Sequence, residues 1–394
     1  MTEGDFRHTY IVMEHEEGKL LQVSLEMLSE ARRLLDDFNK KYASKEKVVA
    51  ILLGQNIKEI TKTLISHGAD VVVYVDNPEL KYVRNTINTK VISQIALDKQ
   101  VAAQIEPEYA TQFKKPRYMF FAADSIGRHL SATVMTQLES GLASDINKLV
   151  ITDIQMTHQS KTGGKPIIYE KTLEMYRPDF SGFLWTTILC LDNLNPAMAR
   201  DFHPQSCSII PGVFEPLQSD PNRQGKIIEF TPKFDEEDLK VKVIGRKVIK
   251  SEIDFDSHKA IVSFGRGIKD APEQNIKLVE ELASELDAEI GITLPLSKRP
   301  FTVNQTMDSK YLIAGRVIGT SGSKVSPKLY IAAGISGAMQ HIAGMKDSEF
   351  IIAINPDENS PIKNECDVFI KGRMEDVIPS LIEEIRKQKQ VVQA

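Results

Sequence analysis

The stretch that decides the fold runs from Leu329 to Asp357 and reads LYIAAGISGAMQHIAGMKDSEFIIAINPD. Tyr330–Ala333 is a short apolar run that ends at a glycine, which predicts a buried strand followed by a turn. Residues 336–344 have helical spacing with Ser336 at the helix N-terminus, and Phe350–Asn355 predicts a second strand. Strand, turn, helix and strand in this order form the repeating unit of a parallel sheet, so the stretch indicates an α/β domain.

The same alternation extends through the rest of the chain. In the second half, further strands are predicted at Ala260–Phe264, Glu289–Leu294 and Val368–Lys371, with helices at Pro272–Leu286 and 375–388. In the first half, strands are predicted at Tyr10–Met13, Val48–Leu53, Val71–Val75 and Tyr118–Ala122, with helices at Leu21–Phe38, Ile57–Ser66, 88–103 and 127–140. Continuous apolar strands between helices indicate parallel sheets covered on both faces. We therefore predict an α/β fold with two doubly wound Rossmann-like domains.

After about residue 148 the pattern changes to strands without helices between them. These strands are predicted at Leu149–Met156, Ile167–Met175, Leu184–Leu191 and Cys207–Ile210, and they indicate an antiparallel extension on the first domain. Residues 215–258 are rich in charges and turn formers, although Ile227–Phe230 and Leu239–Ile244 could still pair as strands. The predicted organisation is a scaffold domain over 1–214, a linking segment over 215–258 and a cofactor-binding domain over 259–394.

Composition and charge argue against several classes of protein. The 394 residues include 49 Lys and Arg against 54 Asp and Glu, and a net charge of −5 lacks the positive field that gives most nucleic-acid affinity. Cys190, Cys207 and Cys366 are far apart, which argues against a thiolate-bound cluster and a disulfide framework. We find no signal peptide, and the apolar window Leu329–Met339 is too short to span a membrane. We expect a cytoplasmic protein with no metal site, no nucleic-acid partner and no inserted segment.

Glycines, hydroxyls and cations follow the predicted strands of the second domain. They are Gly265-Arg266-Gly267, Ser297-Lys298-Arg299, the loop Gly319–Lys324, and Gly334-Ile335-Ser336-Gly337. Ligands of open parallel sheets bind beyond the carboxyl ends of the strands, so these groups should converge. Glycine turns let backbone N–H groups approach an anion, which favours a phosphate-bearing cofactor. The loop lacks P-loop spacing, and no G-x-G-x-x-G opens a helix after Ala260–Phe264, so neither triphosphate hydrolysis nor the usual NAD fingerprint is indicated.

These motifs also carry a family resemblance. The runs Leu329–Ser348, Ile352–Asp357 and Ser360-Pro361-Ile362 resemble the signature of electron-transfer flavoprotein alpha subunits, with support from Gly265–Gly267, Gly319–Gly322 and Ser326-Pro327. The likeness is dense over about 255–385. It is looser over 1–230, where it rests on Glu14-His15, Ala123–Gly127, Arg177–Gly182 and Ile210–Val213.

The resemblance implies that the second domain holds FAD and that the first domain faces a beta subunit. By position it places Arg266 near the isoalloxazine, Arg299 as the ring-side arginine and His341 at the pyrimidine edge. It places Ser321 opposite N5, in a loop that also contains Gly319, Thr320 and Gly322. Near the pyrophosphate and ribityl chain it places Ser336, Gly337 and Gln340, and at the adenosine end it places Asn355 and Asp357. A cation and a hydroxyl beside the ring would stabilise added negative charge and favour single-electron reduction. Taken alone, a histidine such as His341 is more often a hydrogen-bonded core residue.

The sequence departs from the family pattern at three places. Segment 292–318 is longer than usual, which leaves the assignment of Arg299 open. Thr320-Ser321 stands where Gln-Thr is commoner, which keeps a hydroxyl and drops an amide. Arg373 stands where an Asp is common, so either the adenine-side contact is lost or another cation lies near the dinucleotide.

The function implied is electron transfer by a carrier subunit, which would be an enzyme only within a larger complex. The chain would bind FAD, pair with the beta subunit and pass electrons singly from flavin dehydrogenases to a quinone-reductase-type acceptor, reaching a membrane only through a partner. One alternative is an electron-bifurcating flavoprotein, in which NADH reduces a second FAD in the beta subunit and electrons continue to ferredoxin or flavodoxin and to quinone. The alternative of another class is an adenine-nucleotide-binding regulatory protein built from the first half. An NAD-dependent dehydrogenase would need the missing Rossmann fingerprint.

Overall fold

A computed structural model describes residues 4–179, 184–246, 253–255 and 257–393. The chain divides into two units, residues 1–246 and 247–394. Phe180, Ser181 and Gly182, which belong to the expected middle-region motif, lie outside the described residues.

The first unit contains a parallel sheet, a small hairpin and an antiparallel ribbon. Its strands are β1 (Phe6–Val12), β2 (His15–Glu16), β3 (Lys19–Leu20), β4 (Val48–Gly54), β5 (Val71–Asp76), β6 (Lys115–Ala122), β7 (Leu142–Ile146), β8 (Lys148–Met156), β9 (Ile167–Asp179), β10 (Leu184–Ile188), β11 (Gln205–Ile209) and β12 (Lys226–Glu229). Its helices are α1 (Gln22–Lys41), α2 (Ile60–Ser66), α3 (Asn85–Leu97), α4 (Lys99–Ile105), α5 (Ser125–Gln137) and α6 (Gln159–Thr162), with 3-10 turns at Pro78–Leu80 and Pro107–Tyr109.

The parallel sheet of the first unit has seven strands in the order β12-β5-β4-β1-β6-β11-β7. All neighbouring strands run parallel, and β1 lies between β4 and β6. Hydrophobic clusters cover both faces, one around Leu28 and Leu35 of α1 and the other around Ile92 of α3 and Val134 of α5. Strands buried on both faces must be apolar along their whole length, which is why the sequence shows runs rather than alternation. This arrangement confirms the predicted α/β class.

The antiparallel extension is present as the ribbon β10-β9-β8. The assignment of Cys207–Ile210 to this ribbon was wrong, because β11 lies in the parallel sheet between β6 and β7. The sequence also missed β7. Both strands are short, and β11 includes the polar residues Ser206 and Ser208, which distant parts of the chain bury. The helix predicted over 88–103 is in fact α3 and α4, because the Asp98 side chain accepts hydrogen bonds from backbone N–H groups at the start of α4.

Part of segment 215–258, which was expected to link the domains, contributes to the first unit. β12 adds an edge strand beside β5. Leu239–Ile244 is not a strand, because residues 239–241 form a turn and bends and residues 242–244 have no regular secondary structure. Just before this stretch, Asp235 and Asp238 both form ion pairs with Lys90 of α3. The segment after β12 is therefore held against α3.

The second unit contains one parallel sheet. Its strands are β13 (Ala260–Phe264), β14 (Ala288–Ile292), β15 (Leu329–Ala333), β16 (Ile351–Asn355) and β17 (Val368–Lys371), and its helices are α7 (Pro272–Leu286), α8 (Gln305–Lys310), α9 (Met339–Ile342) and α10 (Met374–Gln393). Additional 3-10 turns lie at Arg266–Asp270, Leu294–Ser297, Ala314–Arg316 and Pro361–Glu365. The sheet order is β14-β13-β15-β16-β17, so the chain reverses direction across the sheet between β13 and β15. A doubly wound sheet opens a ligand crevice at such a point.

The expected helix over 336–344 is much shorter than predicted. Only α9 is helical, and Ser336 lies in the loop before it, so Ser336 is not at a helix N-terminus. Gly334 and Gly337 have φ values of 62° and 84°, which interrupt helical geometry. The loop is held in place by the Asn355 side chain, which donates to the Ile335 carbonyl at 2.8 Å, and by the Ile362 N–H, which donates to the Ser336 carbonyl at 3.2 Å. The helix macrodipole therefore contributes nothing at Ser336.

Candidate functional site

A cavity of about 730 Å³ opens at the carboxyl ends of β13 and β15. The turn after β13 contributes Arg266, the loop after β15 contributes Ser336, and the end of β16 contributes Asn355. These three elements meet because parallel strands end at the same edge of the sheet. The cavity therefore lies at the point where the strand order reverses.

Two glycines give this cavity a floor made of backbone. A Cβ atom on Gly267 would lie 2.5 Å from the Cα atom of Gly334, and the Gly267 N–H donates to the Gly334 carbonyl at 3.0 Å. Side chains at these positions would separate the two turns. The turns after β13 and β15 can therefore pack this closely only because positions 267 and 334 are both glycine.

The loop from Val317 to Val325 forms one wall of the cavity. The Ile318 N–H donates to the Ile292 carbonyl at 2.9 Å, which joins the start of the loop to β14. The Thr320 N–H donates to the Gln340 carbonyl at 2.8 Å, which joins its tip to α9. Thr320 and Ser321 are exposed and line the cavity, so their hydroxyls are available to a ligand.

Two cations line the same cavity on the 3-10 turn Arg266–Asp270. Arg266 and Lys269 are three residues apart, a spacing that places side chains on one side of a 3-10 helix. Within the described part of the chain neither makes an ion pair, and both are exposed. Arg373, by contrast, pairs with Asp270 at 2.6 Å and with Glu375 at 3.5 Å. The free positive charge at the cavity therefore comes from Arg266 and Lys269, which suits an anionic ligand.

His341 lines the cavity but is only 5% exposed. Its Nδ1 lies 2.9 Å from the Ile318 carbonyl oxygen, and its Nε2 lies 3.0 Å from the Tyr330 hydroxyl. Burial lowers the pKa of His341 from 6.5 to about 4, with the Ile318 carbonyl opposing the shift. The ring is therefore neutral near pH 7.

The structure brings together most of the site residues expected from sequence. Those that line the cavity are Arg266, Gly319, Thr320, Ser321, Ser336, Gln340, His341 and Asn355. Those that do not line it are Arg299, Gly322, Gly337 and Asp357. Arg299 is exposed beyond the 3-10 turn Leu294–Ser297, and the Asp357 carboxylate accepts from the Asn359 N–H at 2.9 Å.

Several lining residues were missed by the sequence analysis. They are Lys269, Thr293, Leu294, Pro295, Val317 and Ala338. Lys269 could have been found from its spacing after Arg266, given a 3-10 turn. The apolar residues carry no chemical signal of their own.

A second cavity, of about 1090 Å³, opens at the carboxyl ends of β1, β4, β5 and β6 in the first unit. Beside it, Asp124 accepts from the N–H groups of Ile126 and Gly127 at 2.9 and 2.8 Å, which occupies the N-terminus of α5. Glu14 is only 5% exposed, and a Cβ atom on Gly127 would lie 2.7 Å from its Oε1. Carboxyl groups thus fill the helix end that a phosphate would need. This arrangement disfavours a nucleotide phosphate there.

The Glu14 carboxyl gives a stability prediction for the first unit. Burial, followed by the proximity of the Asp124 carboxylate, raises the pKa of Glu14 from 4.5 to about 9. A raised carboxyl pKa stabilises the folded state below pH 4.5, and this contribution is lost as the pH rises towards 9. We expect Glu14→Gln, which mimics the protonated acid, to stabilise the protein at pH 8 by roughly 1–3 kcal/mol and to have little effect near pH 4.5.

Urea unfolding at both pH values measures this difference. Glu16→Gln is the matched control, because Glu16 is exposed and, among the described residues, pairs only with exposed Arg246. A Glu14→Gln variant that is no more stable than the wild type at pH 8 would contradict the assignment of a protonated Glu14.

The described part of the chain shows neither a metal-binding cluster nor a membrane-spanning helix. There, no group of three or more His, Cys, Asp or Glu side chains could hold a metal ion. No described helix is long and apolar enough to cross a bilayer.

Comparisons with known proteins point in one direction. Residues 254–346 match a family model described as the electron transfer flavoprotein FAD-binding domain, and residues 9–172 match one described as the electron transfer flavoprotein domain. A protein of Thermoanaerobacterium thermosaccharolyticum named electron transfer flavoprotein subunit alpha is 35% identical over 98% of this chain and 100% of its own length. The acryloyl-CoA reductase electron transfer subunit beta of Anaerotignum propionicum is 32% identical, covering 98% and 97%. Protein FixB of Clostridium saccharobutylicum is 33% identical, covering 98% of each chain.

Proposed function

This chain belongs to the family of electron transfer flavoprotein alpha subunits, and from that membership we propose that it carries electrons as one half of a heterodimer with a beta subunit. In this proposal it takes electrons from a flavin dehydrogenase and passes them singly to a quinone-reductase-type acceptor. Its second unit is an FAD-binding domain. The observation that carries the proposal is the cavity between β13 and β15, where hydroxyls, cations and glycine turns face one space.

The residues around this cavity fit FAD chemically. FAD is an anion with a long dinucleotide chain, and Arg266 and Lys269 supply positive charge that no carboxylate of the described chain neutralises. The Gly267–Gly334 contact lets the turns after β13 and β15 pack against each other beside the cavity. The positive charge attracts the ligand, and the two glycine turns bring main chain to the edge of the same cavity.

The protein's task is to hold and tune the cofactor. When bound, FAD supplies a ring that accepts and releases single electrons. Arg266 and the Ser321 hydroxyl would stabilise negative charge that develops on the ligand, which sets the potential at which electrons are accepted. The Asn355 side-chain amide donates to the Ile335 carbonyl, so this residue shapes the loop before α9.

The proposed dehydrogenase partner is one that acts on acyl-CoA substrates. The relative named acryloyl-CoA reductase electron transfer subunit beta matches almost the whole of both chains, which supports this class. Electron bifurcation remains the second candidate, with NADH, a second FAD in the beta subunit, and ferredoxin or flavodoxin as acceptor. It rests on the resemblance of the middle region, from Arg177-Pro178 to Pro211-Gly212, to that of the anaerobic type. The carboxyl groups beside the first-unit cavity argue against the nucleotide-sensing alternative.

Purification of the chain with its beta subunit tests the proposal. We expect a yellow complex in which FAD is released from the alpha chain on unfolding, and an acyl-CoA dehydrogenase with its substrate should reduce it. A complex that stays colourless after incubation with FAD would refute the proposal. A count of flavins per heterodimer separates the candidates: one FAD and no reduction by NADH rejects bifurcation, whereas two FAD with NADH reduction supports it.

A further inference from the structure

One carboxylate lies in the same 3-10 turn as the two cations that line the cavity at β13 and β15. Asp270 ends the turn Arg266–Asp270 and directly follows Lys269. It does not line the cavity itself. A free carboxylate in this position would attract the side chains of Arg266 and Lys269 and compete with an anionic ligand for them. The positive charge that the cavity offers therefore depends on which group pairs with Asp270.

Arg373 pairs with this carboxylate. Its Nη2 atom lies 2.6 Å from Oδ2 of Asp270, and both side chains are about half exposed. Asp270 forms no other ion pair within the part of the chain that the structure describes. An exposed pair of this kind contributes little to stability. What it changes is the charge beside the cavity, because Arg373 offsets Asp270 and leaves Arg266 and Lys269 unpaired.

The start of α10 holds Arg373 in this position. The N–H groups of Asp376 and Val377 donate to the Arg373 carbonyl at 3.1 Å each, so the first turn of α10 fixes its main chain. The Nη2 atom of Arg373 also lies 3.5 Å from Oε1 of Glu375. That same oxygen accepts from Nδ2 of Asn275 in α7 at 3.1 Å, and Asn275 is fully buried. A hydrogen bond between α7 and α10 therefore directs the guanidinium.

Arg373 itself does not line the cavity, and two carboxylates occupy its guanidinium, so it is not a further free cation at the site. We propose that Arg373 is a positioning residue for an anionic ligand: by pairing with Asp270 it keeps this carboxylate from Lys269 and Arg266 and leaves both cations to the ligand. That the ligand is FAD rests on the proposed function, whereas the pairing of Arg373 with Asp270 does not.

A double-mutant cycle on FAD affinity tests this role. In the heterodimer depleted of flavin, we expect Arg373→Ala to raise the dissociation constant of FAD about twofold to fivefold, the range of one exposed ion pair, because Asp270 is released towards Lys269. Asp270→Asn alone should bind FAD as wild type does, since its charge is already offset. Added to Arg373→Ala, it should restore wild-type affinity. Arg373→Lys keeps the charge and should keep the affinity.

Arg386→Ala is the matched control and should leave FAD affinity unchanged. Arg386 is a half-exposed arginine that also joins α10 to α7, but it pairs with Glu281 and Glu285 towards the other end of α7. Additive effects of Arg373→Ala and Asp270→Asn would overturn the proposal, because each side chain would then act on the ligand separately. An Arg373→Ala variant that binds FAD as tightly as wild type would overturn it too.

Nitrogen-15 NMR of the arginine side chains tests the ion pair without FAD. A carboxylate partner slows the rotation of a guanidinium group, so we expect this rotation in Arg373 to be about twofold to fivefold faster in flavin-free Asp270→Asn than in flavin-free wild type. The signal that disappears in Arg373→Lys identifies Arg373. Unchanged rotation would refute the pairing and, with it, the proposal. A wild-type complex that takes up no FAD refutes the proposed function instead, and the same cycle, with the same expected pattern, is then measured with inorganic pyrophosphate.

Discussion

Replacement of Gly319 by alanine is expected to raise the dissociation constant of FAD by roughly thirtyfold or more. Gly319 has a φ of 138°, where an L-residue is strained, and its added Cβ would lie 2.6 Å from the Gln340 carbonyl oxygen. That oxygen accepts the Thr320 N–H, so the new methyl group would separate the loop from α9. Backbone strain of about 1–2 kcal/mol and the loss of a hydrogen bond of about 1 kcal/mol together account for this change.

Fluorescence titration of the flavin-depleted heterodimer measures this effect. Gly212→Ala is the matched control, because Gly212 has a φ of 82° but nothing within 4 Å of its added Cβ. It should carry backbone strain without a collision, lowering the stability of the first unit slightly and leaving FAD affinity unchanged. Should Gly319→Ala bind FAD as tightly as wild type, the loop is not part of the cofactor site.

The framework of both sheets could be predicted because its signals are local. Val48–Leu53 and Ala260–Phe264 are continuous apolar runs with turn residues after them, and both are central parallel strands. β11 could not be assigned in this way. It is buried because β6 and β7 flank it in the sheet. Ser206 and Ser208 alternate with less polar residues, a pattern that is typical of a half-exposed strand. Long-range pairing of this kind leaves no trace in a short window of sequence.

The candidate site was predictable to the extent that its chemistry lies in the turns. Gly319, Thr320 and Ser321 follow from the rule that ligands bind beyond the carboxyl ends of strands, and the structure places them at one cavity. The sequence predicts Ser336 at a helix N-terminus, but the helix begins only at Met339. Gly337 has a φ of 84°, which is not helical and delays the start of the helix. Lys269 was missed because a 3-10 turn cannot be distinguished from a loop by its residue types. The partners of His341 required tertiary structure.

The two arginines named as ring-side candidates give the second large prediction. Arg266 lines the cavity and makes no ion pair in the described chain, whereas Arg299 is exposed and does not line it. We therefore expect Arg266→Ala to weaken FAD binding by about tenfold to a hundredfold, since a hydrogen bond to a charged group contributes about 1.5–3 kcal/mol. If the same energy stabilises the added electron, the first reduction potential should fall by about 60–130 mV.

Anaerobic redox titration of the heterodimer separates the two arginines. Arg299→Ala is the matched control and should leave both FAD affinity and potential at wild-type values. Lys269→Ala distinguishes the roles of the two cavity cations: weaker binding with an unchanged potential would place Lys269 at the phosphates and leave Arg266 as the ring-side charge. A fall in potential in Arg299→Ala with no change in Arg266→Ala would reverse the assignment, because it would require segment 292–318 to bring Arg299 to the ring when FAD binds.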